Sequence, residues 1–387
     1  MLPISIEKMP ALNGRIVLLR CDFNVNLTIK KQPLDSTKII RSYKTINYLL
    51  SKGAKVVIIA HLGRPACHAE ALRRRAEKDR QLSLRPIYNF LKKDFLALRF
   101  VEKPISTINR ATFKKGNLFL LENIRFNKGE LNNDAKFAKK LALLGDFYVN
   151  EAFAASHRKH ASLSAITKYL KPFFGFNFIE EISTLKRLKI KKPALLILGG
   201  LKVDEKLPMI EKLAPKFSNI LLAGGCSFLF YKKQGINVGA TKIERSALNS
   251  MSLRRLLKNK KILLPQDLIV ANAKTLDRVR IVACSRVCNN EAIFDVGPRT
   301  ILKWSELIKK AKTIIWLGPV GYVDYKQFSH GSAMLAKIIG SRASGRAVGI
   351  VGGGETLYSV NKSGMAKYFD YISTGGGATL NAISNNK

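Results

Sequence analysis

Acidic residues and cysteine are both scarce in this chain of 387 residues. It has 27 Asp and Glu against 67 Lys and Arg, which gives a formal net charge of +40 at pH 7. Five cysteines, an odd and small number, do not form a disulfide framework and are typical of a reducing compartment. No apolar run approaches 18 residues and the first ten residues contain no apolar signal segment, so we expect a cytoplasmic protein without a membrane partner.

The common nucleotide-binding signatures are also absent. The sequence contains no G-x-x-x-x-G-K-[ST] loop and no G-x-G-x-x-G after a predicted strand. The positive charge is spread over both halves of the chain, whereas a nucleic-acid-binding protein typically concentrates it on one face. We therefore expect anionic small molecules as partners and no specific nucleic acid, although loose binding to polyanions at low salt is expected of any chain this basic.

Short apolar runs alternate with helical patterns along the chain. The runs are nearly continuous in aliphatic residues, as expected for strands that are covered on both faces. Alternation of strand and helix predicts parallel sheets flanked by helices. The predicted strands are 16–19, 56–60, 118–121, 147–150, 195–198, 220–223, 262–264, 313–316 and 348–351, and the predicted helices include 44–51, 135–144 and 179–188.

The predicted strands fall into two groups separated by a long stretch that contains one helical pattern. The predicted fold is therefore α/β, with two similar-sized domains, each built on a mainly parallel sheet flanked by helices and joined by a hinge helix. The boundaries are 1–170 for the N-terminal domain, 171–192 for the connector, 193–370 for the C-terminal domain and 371–387 for a C-terminal segment.

Arginine, histidine and polar residues follow the strands of the first domain. In open parallel sheets, ligands bind at the carboxyl ends of the strands. Guanidinium groups suit phosphate and carboxylate, and Asp or Asn can hold a hydroxyl. The pattern predicts a site for a small, polyanionic, hydroxylated molecule, although each arginine taken alone is equally typical of a surface ion pair. The residues are Asp22, Asn24, His61, Arg64, Arg125, His157 and Arg158.

Glycine clusters follow the strands of the second domain. Glycine lets the backbone approach phosphate closely, and helix N-termini attract anions. Lys202 and Lys206 are four residues apart and are predicted to lie on one helix face, and Glu355 can hold Mg²⁺. One cluster alone is typical of a tight turn, but four clusters with paired lysines favour a nucleotide. The clusters are Gly199–Gly200, Gly224–Gly225, Gly352–Gly354 and Gly375–Gly377.

An anion-binding domain joined to a nucleotide-binding domain indicates phosphoryl transfer with domain closure. Nine segments, in order along nearly the whole chain, also resemble the phosphoglycerate kinase family. They are 20–25 (RCDFNV), 61–65 (HLGRP), 121–126 (LENIRF), 148–160 (YVNEAFAASHRKH), 197–206 (ILGGLKVDEK), 294–300 (FDVGPRT), 316–321 (WLGPVG), 352–356 (GGGET) and 373–378 (STGGGA).

The resemblance implies exchange of phosphate between 1,3-bisphosphoglycerate and ADP, giving 3-phosphoglycerate and ATP, with Mg²⁺. It also implies hinge closure, a return of 371–387 to the first domain, and a monomer. The implied catalytic residues are Lys38, Lys202 and Lys206, and the implied metal ligand is Glu355. The implied substrate-binding residues are Asp22, Phe23, Asn24, Lys38, His61, Leu62, Gly63, Arg64, Arg125 and Arg158. The implied nucleotide-binding residues are Gly200, Lys202, Lys206, Gly224, Gly225, Asp324, Gly352, Gly353, Gly354, Glu355 and Thr356.

The chain departs from the family pattern at several of these segments. Lys38 stands in place of a catalytic arginine, and Glu151 in place of an aspartate. Arg41 lies three residues after Lys38 and would share its face if the segment is helical. Leu317 and Ala223 replace an asparagine and a glycine and do not keep their chemistry. The alternative to an active kinase is therefore a catalytically impaired, phosphoglycerate-kinase-like binding protein.

Overall fold

The computed structural model describes residues 3–63, 65, 81–201 and 203–385. The chain divides into two compact units, Met1–Thr184 and Leu185–Lys387. The division falls inside the predicted connector 171–192. No helix in the described parts of the chain is both long and apolar enough to cross a bilayer.

The first unit is built on one parallel sheet, whose described strands lie in the order β3-β4-β2-β1-β5-β6. Successive residues of a strand point to opposite faces of the sheet, and both faces of this one are buried. Val17 and Leu19 of the first strand therefore pack in one apolar cluster, and Ile16 and Leu18 in another. The strands are β1 (Ile16–Arg20), β2 (Lys55–Ile59), β3 (Arg99–Val101), β4 (Leu118–Leu121), β5 (Phe147–Asn150) and β6 (Pro172–Phe174), and the helices are α1 (Thr37–Ile40), α2 (Tyr43–Ser51), α3 (Arg85–Leu91), α4 (Lys128–Leu131), α5 (Ala135–Ala142) and α6 (Phe176–Arg187).

The second unit contains a parallel sheet in the order β15-β14-β13-β7-β8-β9 and an antiparallel sheet in the order β11-β10-β12. Its strands are β7 (Ala194–Leu198), β8 (Asn219–Leu222), β9 (Ile262–Leu263), β10 (Asp267–Asn272), β11 (Arg280–Ala283), β12 (Glu291–Val296), β13 (Thr313–Leu317), β14 (Val348–Gly352) and β15 (Tyr371–Ser373). Its helices are α7 (Leu207–Leu213), α8 (Gly224–Lys233), α9 (Met251–Leu256), α10 (Pro298–Lys310), α11 (His330–Ala343), α12 (Gly354–Lys362) and α13 (Gly377–Ser384).

The predicted fold class is confirmed, and each predicted strand is present with both ends within one residue of the prediction. The three-residue strands β3, β6 and β15, which are too short to give a pattern, and the antiparallel sheet were not predicted. The predicted hinge and the return of 371–387 to the first domain stay predictions. In the structure, β15 pairs with β14, and α13 packs against α7, all within the second unit.

Candidate functional site

The carboxyl edge of the first sheet brings Asp22 and Lys38 together. Asp22 follows β1, and Lys38 lies on the short helix α1. Nζ of Lys38 donates to Oδ2 of Asp22 at 2.9 Å, and the two side chains are only 13% and 10% exposed. Burial by itself would raise the pKa of Asp22, but the charge and hydrogen bond of Lys38, with smaller contributions from His61 and the N–H of Asn24, together hold that pKa well below its ordinary value. Asp22 is therefore a firmly ionised carboxylate at pH 7.

His61 follows β2, and its ring is buried. Nη2 of Arg20 lies 3.1 Å from Nδ1 of His61. Because a guanidinium only donates hydrogen bonds, Nδ1 must accept, and the ring proton must be on Nε2. Burial, followed by the positive charge of Arg20, lowers the pKa of His61 well below its ordinary value. His61 is therefore neutral at pH 7, and its Nε2 donor has no acceptor among the described residues.

Arg20 belongs to a buried polar network that the sequence analysis did not identify. Its Nε donates to Oγ of Ser162 at 2.8 Å, and Ser162 donates from Oγ and N to the two oxygens of Glu130 at 2.7 and 2.8 Å. Tyr148 on β5 donates to the carbonyl of Ser162 at 2.7 Å. Arg20 and Glu130 are both fully buried, so each charge depends on these contacts. The network fixes the segment that carries Arg158 relative to His61.

A second set of contacts fixes the loop after β2. Oδ1 of Asn24 accepts the backbone N–H of Gly63 at 2.7 Å, and Nη1 of Arg125 donates to the carbonyl of Gly63 at 2.6 Å. Gly63 has φ +62°, which favours glycine, and a Cβ there would lie 2.4 Å from Cδ2 of Leu82. Asn24 thus uses its oxygen within the protein and keeps its Nδ2 donors for other partners.

The remaining predicted substrate residues differ in what they can offer. Phe23 and Leu62 are buried in the apolar core, so they can meet a ligand through the backbone alone. Arg158 is half-buried, which is compatible with the predicted contact to the substrate. Arg64 lies outside the described residues. Arg41, the possible substitute for Lys38, has its Nη1 3.5 Å from Oε1 of the buried Glu181.

Glu151 holds the start of α6. It accepts hydrogen bonds from Oγ1 of Thr45 at 2.7 Å and from the backbone N–H groups of Asn177 and Phe178 at 3.2 and 3.3 Å. These two N–H groups lie in the first turn of the helix, where backbone donors have no intrahelical acceptor. Burial outweighs these hydrogen bonds and raises the pKa of Glu151 to about 7.

Glycines bring the loops at the carboxyl edge of the second sheet into close contact. A Cβ on Gly199 would lie 1.9 Å from the carbonyl oxygen of Pro319, so this position accepts no side chain. Gly318, with φ +98°, donates its N–H to Oγ1 of Thr356 at 2.9 Å. The loops after β7, β13 and β14 are therefore interlocked at the edge that the sequence predicted to bind phosphates.

Two helices at this edge begin at glycine. Gly224 starts α8, and Gly353 precedes the first residue of α12. The predicted position of Lys206 on a helix face is wrong, because α7 begins one residue later, at Leu207, with Pro208 in its first turn. Nζ of Lys206 instead donates to the carbonyl of Gly199 at 2.6 Å. Lys202 lies outside the described residues.

Two carboxylates lie at the same edge. Asp324 and Glu355 are exposed. After burial, their negative charges help to raise the pKa of Tyr322, which places both near the same phenol. No group of three or more His, Cys, Asp or Glu among the described residues is arranged to hold a metal alone. Mg²⁺ at nucleotide sites typically takes one or two carboxylates together with phosphates and water, and Glu355 fits that role.

The two non-conservative departures are both buried. Leu317 ends β13 with 2% of its surface exposed, and Ala223 precedes α8 with none exposed. Neither side chain can donate or accept a hydrogen bond. The backbone of the neighbouring loops therefore has to supply any polar group that the family's asparagine would present at the end of β13.

Comparison with known proteins agrees with this geometry. The family model described as phosphoglycerate kinase matches residues 6–386. The cytosolic phosphoglycerate kinase of Triticum aestivum is 38% identical over 384 residues, which cover 96% of this chain and 93% of that protein. The phosphoglycerate kinase of Orientia tsutsugamushi (strain Ikeda) is 37% identical over 378 residues, which cover 95% of this chain and 91% of that protein.

Solved structures agree as well. The phosphoglycerate kinase of Coxiella burnetii superposes with a TM-score of 0.68 at 31% identity, covering 100% of this chain and 97% of that one. The enzyme of Pyrococcus horikoshii, with a TM-score of 0.78 at 24% identity and 99% and 96% coverage, shares the fold. The chain belongs to the phosphoglycerate kinase family, and it is a kinase that transfers a phosphoryl group to a carboxyl acceptor.

Proposed function

We propose that this chain catalyses the Mg²⁺-dependent transfer of phosphate between 1,3-bisphosphoglycerate and ADP, giving 3-phosphoglycerate and ATP, in cytoplasmic glycolysis and gluconeogenesis. The chemistry of the cluster around Asp22 carries the proposal. Cations and hydrogen-bond donors meet there, but the pKa of Asp22 is held so far below 7 that its carboxylate is too weak a base, and Nδ1 of His61 is occupied by Arg20. Neither group can act as a base at pH 7. A carboxylate acceptor is already ionised at that pH and needs none.

We assign 3-phosphoglycerate to the carboxyl edge of the first sheet. Asp22 can accept a hydrogen bond from the substrate hydroxyl, while Nδ2 of Asn24 and Nε2 of His61 can donate to its oxygens. Arg125 and Arg158, with Arg64, supply guanidinium groups for the phosphate and the carboxylate. Lys38 lies beside Asp22 and contributes positive charge to the phosphoryl group as it moves.

We assign the nucleotide to the glycine-rich edge of the second sheet. The backbone N–H groups at the starts of α8 and α12 suit its phosphates. Lys206 and Lys202 add positive charge for the transferred group. Glu355 would hold Mg²⁺, which supplies neutralisation of the phosphate charge when it is bound. Closure of the two units about the predicted connector, with the chain acting as a monomer, completes the proposal.

Arg158→Ala tests the assignment of the substrate, with the neighbouring Lys159→Ala as a control of equal charge. Calorimetry should show that 3-phosphoglycerate binding weakens about 30- to 1,000-fold in Arg158→Ala, since removal of a charge-assisted pair with phosphate is worth roughly 2–4 kcal/mol. ATP binding should hardly change, and Lys159→Ala should resemble the wild type. Equal losses for both ligands would show that the assignment of the two sites is wrong.

A coupled assay with ATP and 3-phosphoglycerate separates the active kinase from the alternative. Turnover by the purified chain supports the proposal. Binding of both ligands by calorimetry without turnover would favour a catalytically impaired binding protein. In that case Leu317→Asn, which restores the family's polar side chain at the end of β13, is the first variant to assay.

A further inference from the structure

The positive charge of the second unit is concentrated at the amino edge of its parallel sheet. All strands of a parallel sheet begin at one edge, so the segments that lead into them lie side by side. Thirteen residues of these segments are Lys or Arg, and one, Asp370, is acidic. The segments are 189–193, 214–218, 257–261, 309–312, 342–347 and 366–370. The basic residues are Lys189, Lys191, Lys192, Lys216, Lys258, Lys260, Lys261, Lys309, Lys310, Lys312, Arg342, Arg346 and Lys367.

Backbone hydrogen bonds hold these segments in a row. The N–H of Lys312 donates to the carbonyl of Pro193 at 2.8 Å, and the N–H of Val348 donates to the carbonyl of Lys312 at 2.9 Å. The N–H of Ile220 donates to the carbonyl of Lys261 at 2.9 Å. The starts of β14, β13, β7, β8 and β9 are therefore fixed next to one another, and so are the basic residues that precede them.

Ten of these cations are exposed, and none of the ten forms a salt bridge with a described residue. Asp370 already accepts the N–H of Gly349 at 2.7 Å. The exposed residues, here called the amino-edge cations, are Lys189, Lys191, Lys192, Lys258, Lys260, Lys309, Lys310, Lys312, Arg346 and Lys367.

Most of the charge of this edge has no evident role in binding the nucleotide or in stabilising helices. The opposite edge, in segments 199–206, 318–324 and 353–356, holds four acidic and two basic residues. Helices also end near the amino edge, and cations stabilise helix C-termini, but the effect falls off beyond the last turn. Lys309 and Lys310 lie in the last turn of α10 and can act in this way, but Lys312 and Arg346 lie after the last residues of α10 and α11.

We propose that the amino-edge cations form a docking surface for the phosphate backbone of duplex nucleic acid, bound without sequence preference. Six strands spaced about 4.8 Å apart span roughly 24 Å. One strand of a duplex presents about seven phosphates over that length. Lysine ammonium groups act as point charges and neutralise phosphates without reading bases.

The side chains between the cations favour a duplex over other polyanions. Tyr368 is the one exposed aromatic residue in the six segments. Proteins that bind single strands typically stack several bases on aromatic rings. Docking on an anionic membrane typically adds exposed apolar side chains that enter the lipid. The surface therefore presents a row of positive charges with few aromatic or apolar side chains, which suits the phosphates of a duplex.

The test is fluorescence anisotropy of the full chain with a labelled 30-base-pair DNA duplex at increasing KCl. Five to seven phosphate contacts predict a slope of about −4.5 to −6 for log K against log salt. A variant that removes one amino-edge cation before each of four strands should lower the steepness of that slope by about three to four, with at least tenfold weaker binding at 0.1 M salt. The variant is Lys191→Gln, Lys260→Gln, Lys310→Gln and Arg346→Gln.

The matched control removes four exposed lysines elsewhere in the same unit: Lys242→Gln, Lys274→Gln, Lys303→Gln and Lys337→Gln. In this control the slope of log K against log salt should differ from the wild-type slope by less than one unit. Equal losses in both variants would overturn the proposal in favour of diffuse attraction by net charge. Competition by millimolar ATP would place binding at the nucleotide edge and overturn it too. Binding to vesicles with 30% phosphatidylserine, but not to duplex, would replace the proposed partner with a membrane.

Discussion

Replacing Lys38 with alanine tests the proposed chemistry most directly. The ammonium lies 2.9 Å from Asp22, in a place where both side chains are about nine-tenths buried. A charge in such a poorly solvated place acts more strongly on a nearby phosphoryl group than it would in water. If Lys38 stabilises the transferring phosphoryl, its loss should remove about 3 kcal/mol of transition-state stabilisation. That corresponds to a fall in kcat of about 10²-fold or more.

Two further variants separate this role from the loss of charge alone. Lys38→Arg restores a two-pronged donor and should keep or raise kcat. Arg41→Ala should leave kcat near the wild-type value, because Arg41 is directed at Glu181. It should instead lower the free energy of unfolding, by about 1–3 kcal/mol, since Glu181 is fully buried and would lose one charged partner. Lys30→Ala, an exposed lysine of the same region, controls for net charge.

The measurements are kcat and KM in the coupled assay and unfolding followed by circular dichroism. Lys38→Ala should also raise the pKa of Asp22, because the largest influence that lowers it is gone. A nearly neutral Lys38→Ala with a severe fall in kcat for Arg41→Ala would move the catalytic role to Arg41. If neither variant changes kcat, the transfer does not use this segment, and the proposed stabilisation of the phosphoryl group is wrong.

Three other changes test separate parts of the structure. The pKa of Glu151 in the folded chain, about 7, is above its ordinary value of 4.5, so this group contributes stability that is full below about pH 4.5 and is lost as pH rises through 7. Glu151→Gln should remove that component, about 3 kcal/mol between pH 4.5 and 8 in urea unfolding; an unchanged pH profile would contradict the assignment. Gly199→Ala should destabilise the second unit by more than about 2 kcal/mol, read by the fluorescence of its buried tryptophans, because a Cβ would overlap the carbonyl of Pro319. Glu355→Gln should weaken Mg²⁺-ATP binding at least tenfold in calorimetry but leave 3-phosphoglycerate binding intact; equal effects would remove Glu355 from the metal site.

Most of the fold could be predicted from the sequence because strands buried in a parallel sheet appear there as uninterrupted apolar runs. The same property located the candidate site, since Asp22, His61 and Gly199 each come within two residues of the end of such a run. Parallel pairing then places these residues at one edge within each unit, whatever lies between them in the chain. Local pattern and one rule of topology were sufficient for this part.

Contacts between distant residues could not be predicted in the same way. Arg20 was visible at the end of β1, but Ser162, its partner, is 142 residues away. Nothing in either local pattern shows that their side chains meet. The helix after Lys206 was misplaced for a different reason, because a spacing of four fits a turn before a helix as well as the helix itself. The clustering of the amino-edge cations could not be predicted from the charge count either, because it depends on the order of the strands in the sheet.

Two buried carboxylates link α6, the helix that lies in the predicted connector, to the segment formed by α1 and α2, which contains Lys38. Glu181 of α6 faces Arg41, the residue after α1, and Glu151 accepts from both Thr45 of α2 and the first turn of α6. Because both acids are buried, neither can exchange these partners for water without a large loss of stability. A displacement of α1, when Lys38 leaves Asp22 for a substrate oxygen, would therefore act on α6 through these contacts. Because of these contacts, Arg41→Ala and Glu151→Gln should alter stability. Lys38→Ala, which leaves both carboxylates paired, should instead alter turnover.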